Sequence, residues 1–483
     1  MKKVFILFAA LAFSSSVFAG GFVTNTNQST RFLRNPARNA STEIDAIYSN
    51  PAGLSFMKND GFVISLNNQM AFQTRTITST FAPFALNGGK ETKEYKGAAQ
   101  SFFIPSIQMA YKYKNWVISG SFAIVGGGGT LEYKNGLPMF EAMVAGPLFG
   151  HLTTLNNVAA DPALVYKGNP LGYSLDMNLK GTNITYGAQL GVNYKIKDMF
   201  SVFLGARTSI LQNGYKGYLR NVQITNADAM GTHFTQTAAY LESVGMLEQA
   251  AALKGAALGI AQLQVGVSEI DIKLNTKQNG WGIAPILGVG FEYENFNIGV
   301  KYEFKTSIET KNKTKVNTSG VADFDDGVKT DNDLPALLST GMSYKFLNQK
   351  LIASTGFNMY FDKQSKMPND KQELLKNNTM EVLLGLEYVI NDRFLVSAGG
   401  QVTRFGLKDG FQSNMSFYCN SFSVGFGGAC NIVKGLSLNL GYLYTHYEKY
   451  TNNNPVYKHP ILGGKEVYNR TSHAVAIGLD YKF

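Results

Sequence analysis

The chain has 483 residues, with 44 Lys or Arg against 34 Asp or Glu, for a formal net charge of +10. Charged residues make up only 16%, below the ~25% of a typical soluble domain. The 33 Phe, 25 Tyr and 50 Gly with so few charges exclude a disordered chain, and 2 Cys exclude a disulfide-stapled miniprotein.

Met1, Lys2 and Lys3 give a basic start, followed by an unbroken apolar run over 4–13 that is too short to span a bilayer. Small or apolar residues at Val17 and Ala19 predict cleavage after Ala19, so 1–19 reads as a signal peptide. No later stretch approaches the ~20 uninterrupted apolar residues of a membrane-spanning helix. An exported chain without such a helix is periplasmic, secreted or an outer-membrane β-barrel. In a barrel the hydrophobic signal is hidden, because lipid-facing and lumen-facing residues alternate.

Alternation runs down the rest of the chain. Ile184, Tyr186, Ala188, Leu190, Val192 and Tyr194 alternate with Thr185, Gly187, Gln189, Gly191 and Asn193. Phe296, Ile298, Val300, Tyr302 and Phe304 repeat the pattern, as do Val475, Ile477, Leu479, Tyr481 and Phe483 at the end. Strands are predicted at about 61–80, 101–113, 116–133, 173–196, 199–224, 268–294, 296–312, 335–346, 350–362, 378–390, 393–404, 419–431, 435–450 and 470–483. Short and long connections take turns between them, as expected for periplasmic turns and outer loops. A secreted β-sandwich or propeller predicts similar strands but not that regular alternation. The expected fold is all-β, a 14-stranded antiparallel transmembrane barrel over 60–483, with both termini on the periplasmic side.

Residues 20–59 have no alternating run. Turn-forming Asn35-Pro36-Ala37 and Asn50-Pro51-Ala52-Gly53 and scattered apolar residues suggest a packed plug. The stretch Arg38 to Leu54, with Asn50-Pro51-Ala52 just ahead of the first of fourteen strands, resembles the hatch of the long-chain fatty-acid and aromatic-hydrocarbon outer-membrane transporters (FadL/TodX type). The resemblance spans the mature chain and implies an N-terminal hatch over 20–59, with Tyr48, Asn50, Pro51, Ala52 and Gly53 as gating residues. It also implies an inward kink of the third strand that opens a lateral gap. Gly126, Gly127, Gly128 and Gly129 fall in that strand; they either form the wall defect or begin a flexible loop entry.

On the inward parity stand charged Arg207, Lys301, Glu303, Lys345, Glu381 and Glu387 and apolar Phe203, Leu337, Ile352, Leu383, Leu395 and Leu443. The apolar set either lines a greasy ligand pocket or packs against the plug. Helical patterns in two outer loops cover 139–155, with Phe140, Met143, Leu148 and Phe149, and 235–263, with Leu241, Met246 and Leu247. They read as a ligand-capture groove or, alternatively, as a packed lid.

Cys419 and Cys430 flank one strand and are too far apart to bond. His446 and His473 share the lipid-facing parity, and no nucleophile-elbow, metalloprotease or phosphate-loop pattern occurs. The acidic loop with Asp323, Asp325, Asp326, Asp331 and Asp333 reads as solvated rather than cation-binding. No enzyme, cofactor or metal is expected. The expected protein is a monomer in the Gram-negative outer membrane that passes small hydrophobic molecules inward without energy coupling. Its partners are that ligand, outer-membrane lipid and lipopolysaccharide, and no nucleic acid. A hydrophilic-solute porin, or an outer-membrane enzyme or adhesin, is the rival reading.

Overall fold

Strict alternation of side chains builds the wall. In a computed structural model that describes residues 28–408 and 410–483, fourteen strands form one closed antiparallel barrel. The expected signal peptide and 20–27 lie outside the described residues. The strands are β1 Gly61–Thr80, β2 Thr92–Tyr113, β3 Trp116–Tyr133, β4 Gly172–Ile196, β5 Phe200–Thr225 and β6 Ile272–Tyr293. Strand β7 runs through Phe296–Glu303 and Glu309–Asn317, and β8 through Lys329–Asp331 and Leu337–Phe346. Then come β9 Leu351–Tyr360, β10 Leu375–Val389, β11 Phe394–Leu407 and β12 Ser421–Val433. The last two are β13, Leu436–Tyr447 with Tyr450–Asn452, and β14, Lys465–Lys482. Pairing of β14 with β1, from Val63 opposite Lys482 to Thr80 opposite Lys465, closes the ring and leaves no edge.

All fourteen expected strands are present, with ends shifted by up to nine residues and with local breaks. β2 starts at Thr92, nine residues before the expected onset. β7 and β8 are each interrupted, at 304–308 and 332–336, where the bridge Thr306–Leu334 and three hydrogen bonds to the Asp333 carboxylate replace the ladder. Cys419 lies ahead of β12 rather than within it, and both cysteines are free thiols.

The two faces of the wall differ as the alternation requires. Val475, Ile477, Leu479 and Tyr481 are exposed on the outside of β14, while Ala476 and Asp480 between them are buried inside. Exposed Trp116, Tyr194, Phe200, Tyr293, Tyr344, Tyr388, Phe394 and Phe483 gather beside the short turns, an aromatic girdle at one membrane interface. His446 and His473 lie on this outer surface, where the Tyr442 hydroxyl meets His473 Nδ1 at 2.8 Å.

Long connections converge at the other end. Helix α3 (Pro138–Ala159) follows β3; α4 (Ala227–Ser243) and α5 (Leu247–Ser268) follow β5. The single helical stretch expected over 235–263 is thus two helices, broken where Gly245 takes φ +80°. These helices, the 3₁₀ turn Ala82–Leu86 and the outer strand ends share one hydrophobic cluster that includes Phe84, Tyr95, Tyr133, Met143, Phe234, Phe324, Phe417 and Tyr468. Buried Glu141 pins α3 into it, accepting hydrogen bonds from Asn87 (3.0 Å), Lys93 (2.5 Å), Tyr95 (2.6 Å) and Tyr173 (2.8 Å).

Candidate functional site: a lumen cavity beside a break in the wall

The N-terminal segment 28–57 lies inside the barrel at the short-turn end. It holds two short helices, α1 (Thr30–Arg34) and α2 (Ala46–Ser49), and the 3₁₀ turn Pro51–Phe56. A belt of inward-facing glycines lets it approach the wall: Gly290, Gly299, Gly341 and Gly356 are in register, as are Gly385, Gly399 and Gly425. A Cβ at Gly385 would lie 1.8 Å from Asn35 Oδ1, and one at Gly425 2.0 Å from the Leu33 carbonyl. Any side chain there would expel the segment.

Polar wall residues then satisfy backbone groups that the segment's irregular path leaves open. Gln189 donates to the Ile47 carbonyl (2.7 Å), Ser201 to Ala52 (2.8 Å) and Lys301 to Tyr48 (2.8 Å); Asn193 donates to Pro51. Asn50 Nδ2 donates to the Ser41 carbonyl (3.1 Å), tying the Asn-Pro-Ala-Gly turn back on the segment, and Gly53 packs against the same oxygen. Within it Arg38 pairs with Asp45 (2.7 Å). Burial pushes the Asp45 carboxyl up, but the Arg38 guanidinium outweighs it and holds the group below the usual range. Arg31 reaches Asp480 (2.7 Å) and the fully buried Arg34 reaches Glu387 (3.2 Å).

Between this segment and the outer cluster lies a cavity of about 560 Å³. Phe32 contributes to its lining from the N-terminal side, and Ile184, Leu211, Leu443, Gln73, Arg75, Gln401, Tyr447 and Arg470 from the wall. Its side faces a break in the β2–β3 ladder. Pairing stops at Ala99–Leu131 and resumes at Ser106–Ala123, so 100–105 of β2 have no partner on β3. Pairing of β3 with β4 slips twice in the same place, around Gly126 and Gly129.

The local causes are legible. Pro105 has no N–H to donate to a ladder. Gly127 and Gly129 take φ +89° and +76°, and a Cβ at Gly127 would lie 2.2 Å from the Asn183 carbonyl. On the far side, Asn68 holds a bulge between β1 and β2, donating to the Phe102 carbonyl (3.1 Å) and accepting from Ile104 N–H (3.0 Å). Phe103, Ile104, Pro105, Phe122, Ile124, Gly127 and Gly129 border the cavity here, and Phe102 and Phe103 are 63% and 72% exposed. Apolar side chains thus run from the lumen to the lipid-facing surface.

Of the apolar residues proposed from sequence to line a pocket, Leu443 alone borders this cavity. Phe203 packs on Ala52 of the N-terminal segment, Leu383 sits opposite Gly356, and Leu337 lies opposite Tyr360. Ile352 and Leu395 are half-buried near the short turns. Among the loop residues, Phe140, Met143 and Leu148 are buried beneath the helices, Phe149 and Leu241 are half-buried, and Met246 and Leu247 are exposed. Of the luminal charges proposed from sequence, Arg207 meets Glu303 at 2.7 Å, and Glu381 accepts from the neutral Gln401, Asn358, Tyr360 and Thr403. Residues not found from sequence are Asn68, Pro105 and the arginines Arg75 and Arg470. The acidic loop engages Asn and Lys side chains and the Thr314 backbone N–H, and no metal-ligating cluster occurs among the described residues.

No protein-family sequence model and no curated protein sequence matches this chain. Solved structures do. It is similar to a FadL homologue from Pseudomonas aeruginosa (TM-score 0.59, 12% identity, 96% of this chain and 100% of that one). It is also similar to the toluene transporter TodX of P. putida (0.52, 14%, 91% and 94%) and TbuX of Ralstonia pickettii (0.51, 13%, 93% and 98%). The chain therefore has the fold of the FadL and TodX type, over nearly its full length.

Proposed function

We propose that this protein is a passive channel of the Gram-negative outer membrane for small hydrophobic molecules, long-chain fatty acids or aromatic hydrocarbons. The observation that carries the reading is the coincidence of a partly apolar lumen cavity with an unpaired stretch of wall whose rim is apolar. Such a solute gains ~0.8 kcal/mol per methylene on leaving water for the bilayer, so the whole passage from the outer solution into the membrane is downhill and needs no energy source. The toluene transporters TodX and TbuX share the fold, which supports the same cargo class here.

In this reading Met246, Leu247 and the half-buried Phe149 and Leu241 meet the solute first. The cavity holds it beside the N-terminal segment, which acts as a hatch through Tyr48 and Asn50-Pro51-Ala52-Gly53. Exit follows the break at Gly126, Gly127, Gly128 and Gly129. A shift of the hatch requires only that the solute bind its two positions unequally. A porin reading is disfavoured by a lumen that 28–57 occupies at its short-turn end, held there by wall side chains.

The test is uptake of radiolabelled palmitate and toluene by cells lacking their own outer-membrane transporters for these compounds, with and without this protein. Saturable uptake of either supports the proposal. Uptake of neither, in cells with assembled barrel, refutes it.

A further inference from the structure

On the outside of the barrel, the upper wall of β4 to β8 carries exposed Lys180, Lys216, Lys277, Lys311, Lys313 and Lys329. Register sets them directly opposite one another: Lys180 faces Lys216, Lys277 faces Lys313 and Lys311 faces Lys329. Like charges facing each other across a strand pair repel, so three such pairs on five neighbouring strands need a reason. Among the described residues no carboxylate lies within 4.0 Å of Lys180, Lys216, Lys277, Lys311 or Lys313; Lys329 has Glu309 at 2.7 Å. Acids on this stretch have other partners: Asp271 meets Lys273 (2.6 Å), Asp325 accepts from Asn317 (2.7 Å) and Asp326 from the Thr314 N–H (2.8 Å). Elsewhere on the outer half of the wall Lys96 pairs with Glu94 (2.7 Å) and Arg404 with Glu448 (3.0 Å).

The apolar band beneath sets the depth of this patch. Ile210 on β5 faces Trp281 on β6, and both are exposed on the lipid side together with Ile283. Tryptophan favours the boundary between lipid tails and heads. Two residues beyond Trp281, Asn279 faces Lys311; four residues beyond, Lys277 faces Lys313. At ~3.4 Å per residue the lysines begin ~7 Å above the tryptophan, where lipid heads replace tails. Leu274, Thr276 and Gln278, on the opposite parity of β6, are buried, so the lysines project away from the lumen. With strands ~4.8 Å apart the face is roughly 19 Å wide. It presents five cations without a paired carboxylate directly above an apolar strip.

We propose that Lys180, Lys216, Lys277, Lys311 and Lys313 form a docking face for lipopolysaccharide, which sets the phosphates of its lipid head on the lysines and its acyl chains along Ile210, Trp281 and Ile283. Several phosphates on one head supply anions to several cations at once, and lysine binds phosphate as a point charge without a fixed geometry. A phosphate between two facing lysines turns their repulsion into attraction, which accounts for the register. The inference depends on the barrel standing in the outer membrane and not on what its lumen carries.

The experiment is native mass spectrometry of the purified full chain in neutral detergent, with added phosphatidylglycerol or hexa-acyl lipid A bearing two phosphates or none. Wild type is expected to hold two-phosphate lipid A about 10- to 100-fold more tightly than the phosphate-free form. Combined Lys216→Gln, Lys277→Gln and Lys313→Gln should remove that preference, while phosphate-free lipid A binds as before and the barrel keeps its heat-dependent gel mobility. Combined Lys58→Gln, Lys114→Gln and Lys434→Gln takes the same charge from exposed residues at the short-turn end and should leave the preference intact. Equal binding of the two lipid A forms by wild type, equal loss in the two triple variants, or phosphatidylglycerol binding as tight as that of two-phosphate lipid A overturns the docking face and leaves the channel reading standing.

Discussion

The Lys301 ammonium lies 4.6 Å from the centroid of the Tyr48 ring and donates a 2.8 Å hydrogen bond to the Tyr48 carbonyl. Arg207 covers the same ring at 4.8 Å, and Glu303 balances both cations, at 2.7 Å from Arg207 and 3.7 Å from Lys301. The wall therefore grips the N-terminal segment by this aromatic side chain as well as by its backbone. Glu303→Gln would leave two buried cations without a carboxylate, at a cost of about 3–5 kcal/mol. Urea unfolding from detergent micelles should register that loss, and Tyr48→Ala should loosen the segment with a smaller effect on the barrel, about 1 kcal/mol.

Asn50→Ala removes the donor that satisfies the buried Ser41 carbonyl. The expected cost is about 1–3 kcal/mol, concentrated in the segment rather than the wall. Limited proteolysis should cleave 28–57 faster while the barrel keeps its heat-dependent gel mobility, and single-channel conductance should rise.

Glu141→Ala leaves four donors, from Asn87, Lys93, Tyr95 and Tyr173, without their acceptor. Release of α3 by about 3 kcal/mol is expected, seen as faster hydrogen exchange over 138–159 with unchanged exchange in β9 to β12.

The β9–β10 loop should respond to pH. Burial raises the Asp362 carboxyl from 3.8 to about 7, against the opposing hydrogen bond from Thr379. The folded loop thus keeps a proton that the open loop gives up. The contribution this proton makes to the loop's stability is fully present below about pH 4, falls as pH rises, and is lost above about pH 7. Hydrogen exchange of 361–374 should accelerate between pH 5 and 8, and Asp362→Asn should abolish that dependence.

Most of the wall was legible because alternation is a local signal that each strand carries in full. The Asn50-Pro51-Ala52-Gly53 turn was legible for the same reason. Depth along the barrel was not. Parity tells which face Ile352 or Leu395 takes, but not that both lie near the short turns, below the cavity. Register was not legible either. Arg75 and Arg470 are neighbours only because β14 closes on β1, and the glycine belt exists only once Gly299, Gly341 and Gly356 are aligned. The break in the wall needed both sides as well, since Pro105 and Asn68 on one side match Gly127 and Gly129 on the other. The outer helices were found by their periodicity, which does not say that Phe140, Met143 and Leu148 face inward beneath them.

The central claim is that a hydrophobic solute leaves the cavity through the break between β2 and β3. Ser101 lies on that rim, borders the cavity and is free of any β3 partner, so Ser101→Trp fills the opening without altering a glycine or a ladder bond. The decisive measurement is uptake of radiolabelled palmitate and toluene by cells carrying wild type or this variant, at equal levels of heat-modifiable barrel. The account predicts saturable uptake by wild type and background uptake by Ser101→Trp. Wild-type rates through the filled opening would contradict it.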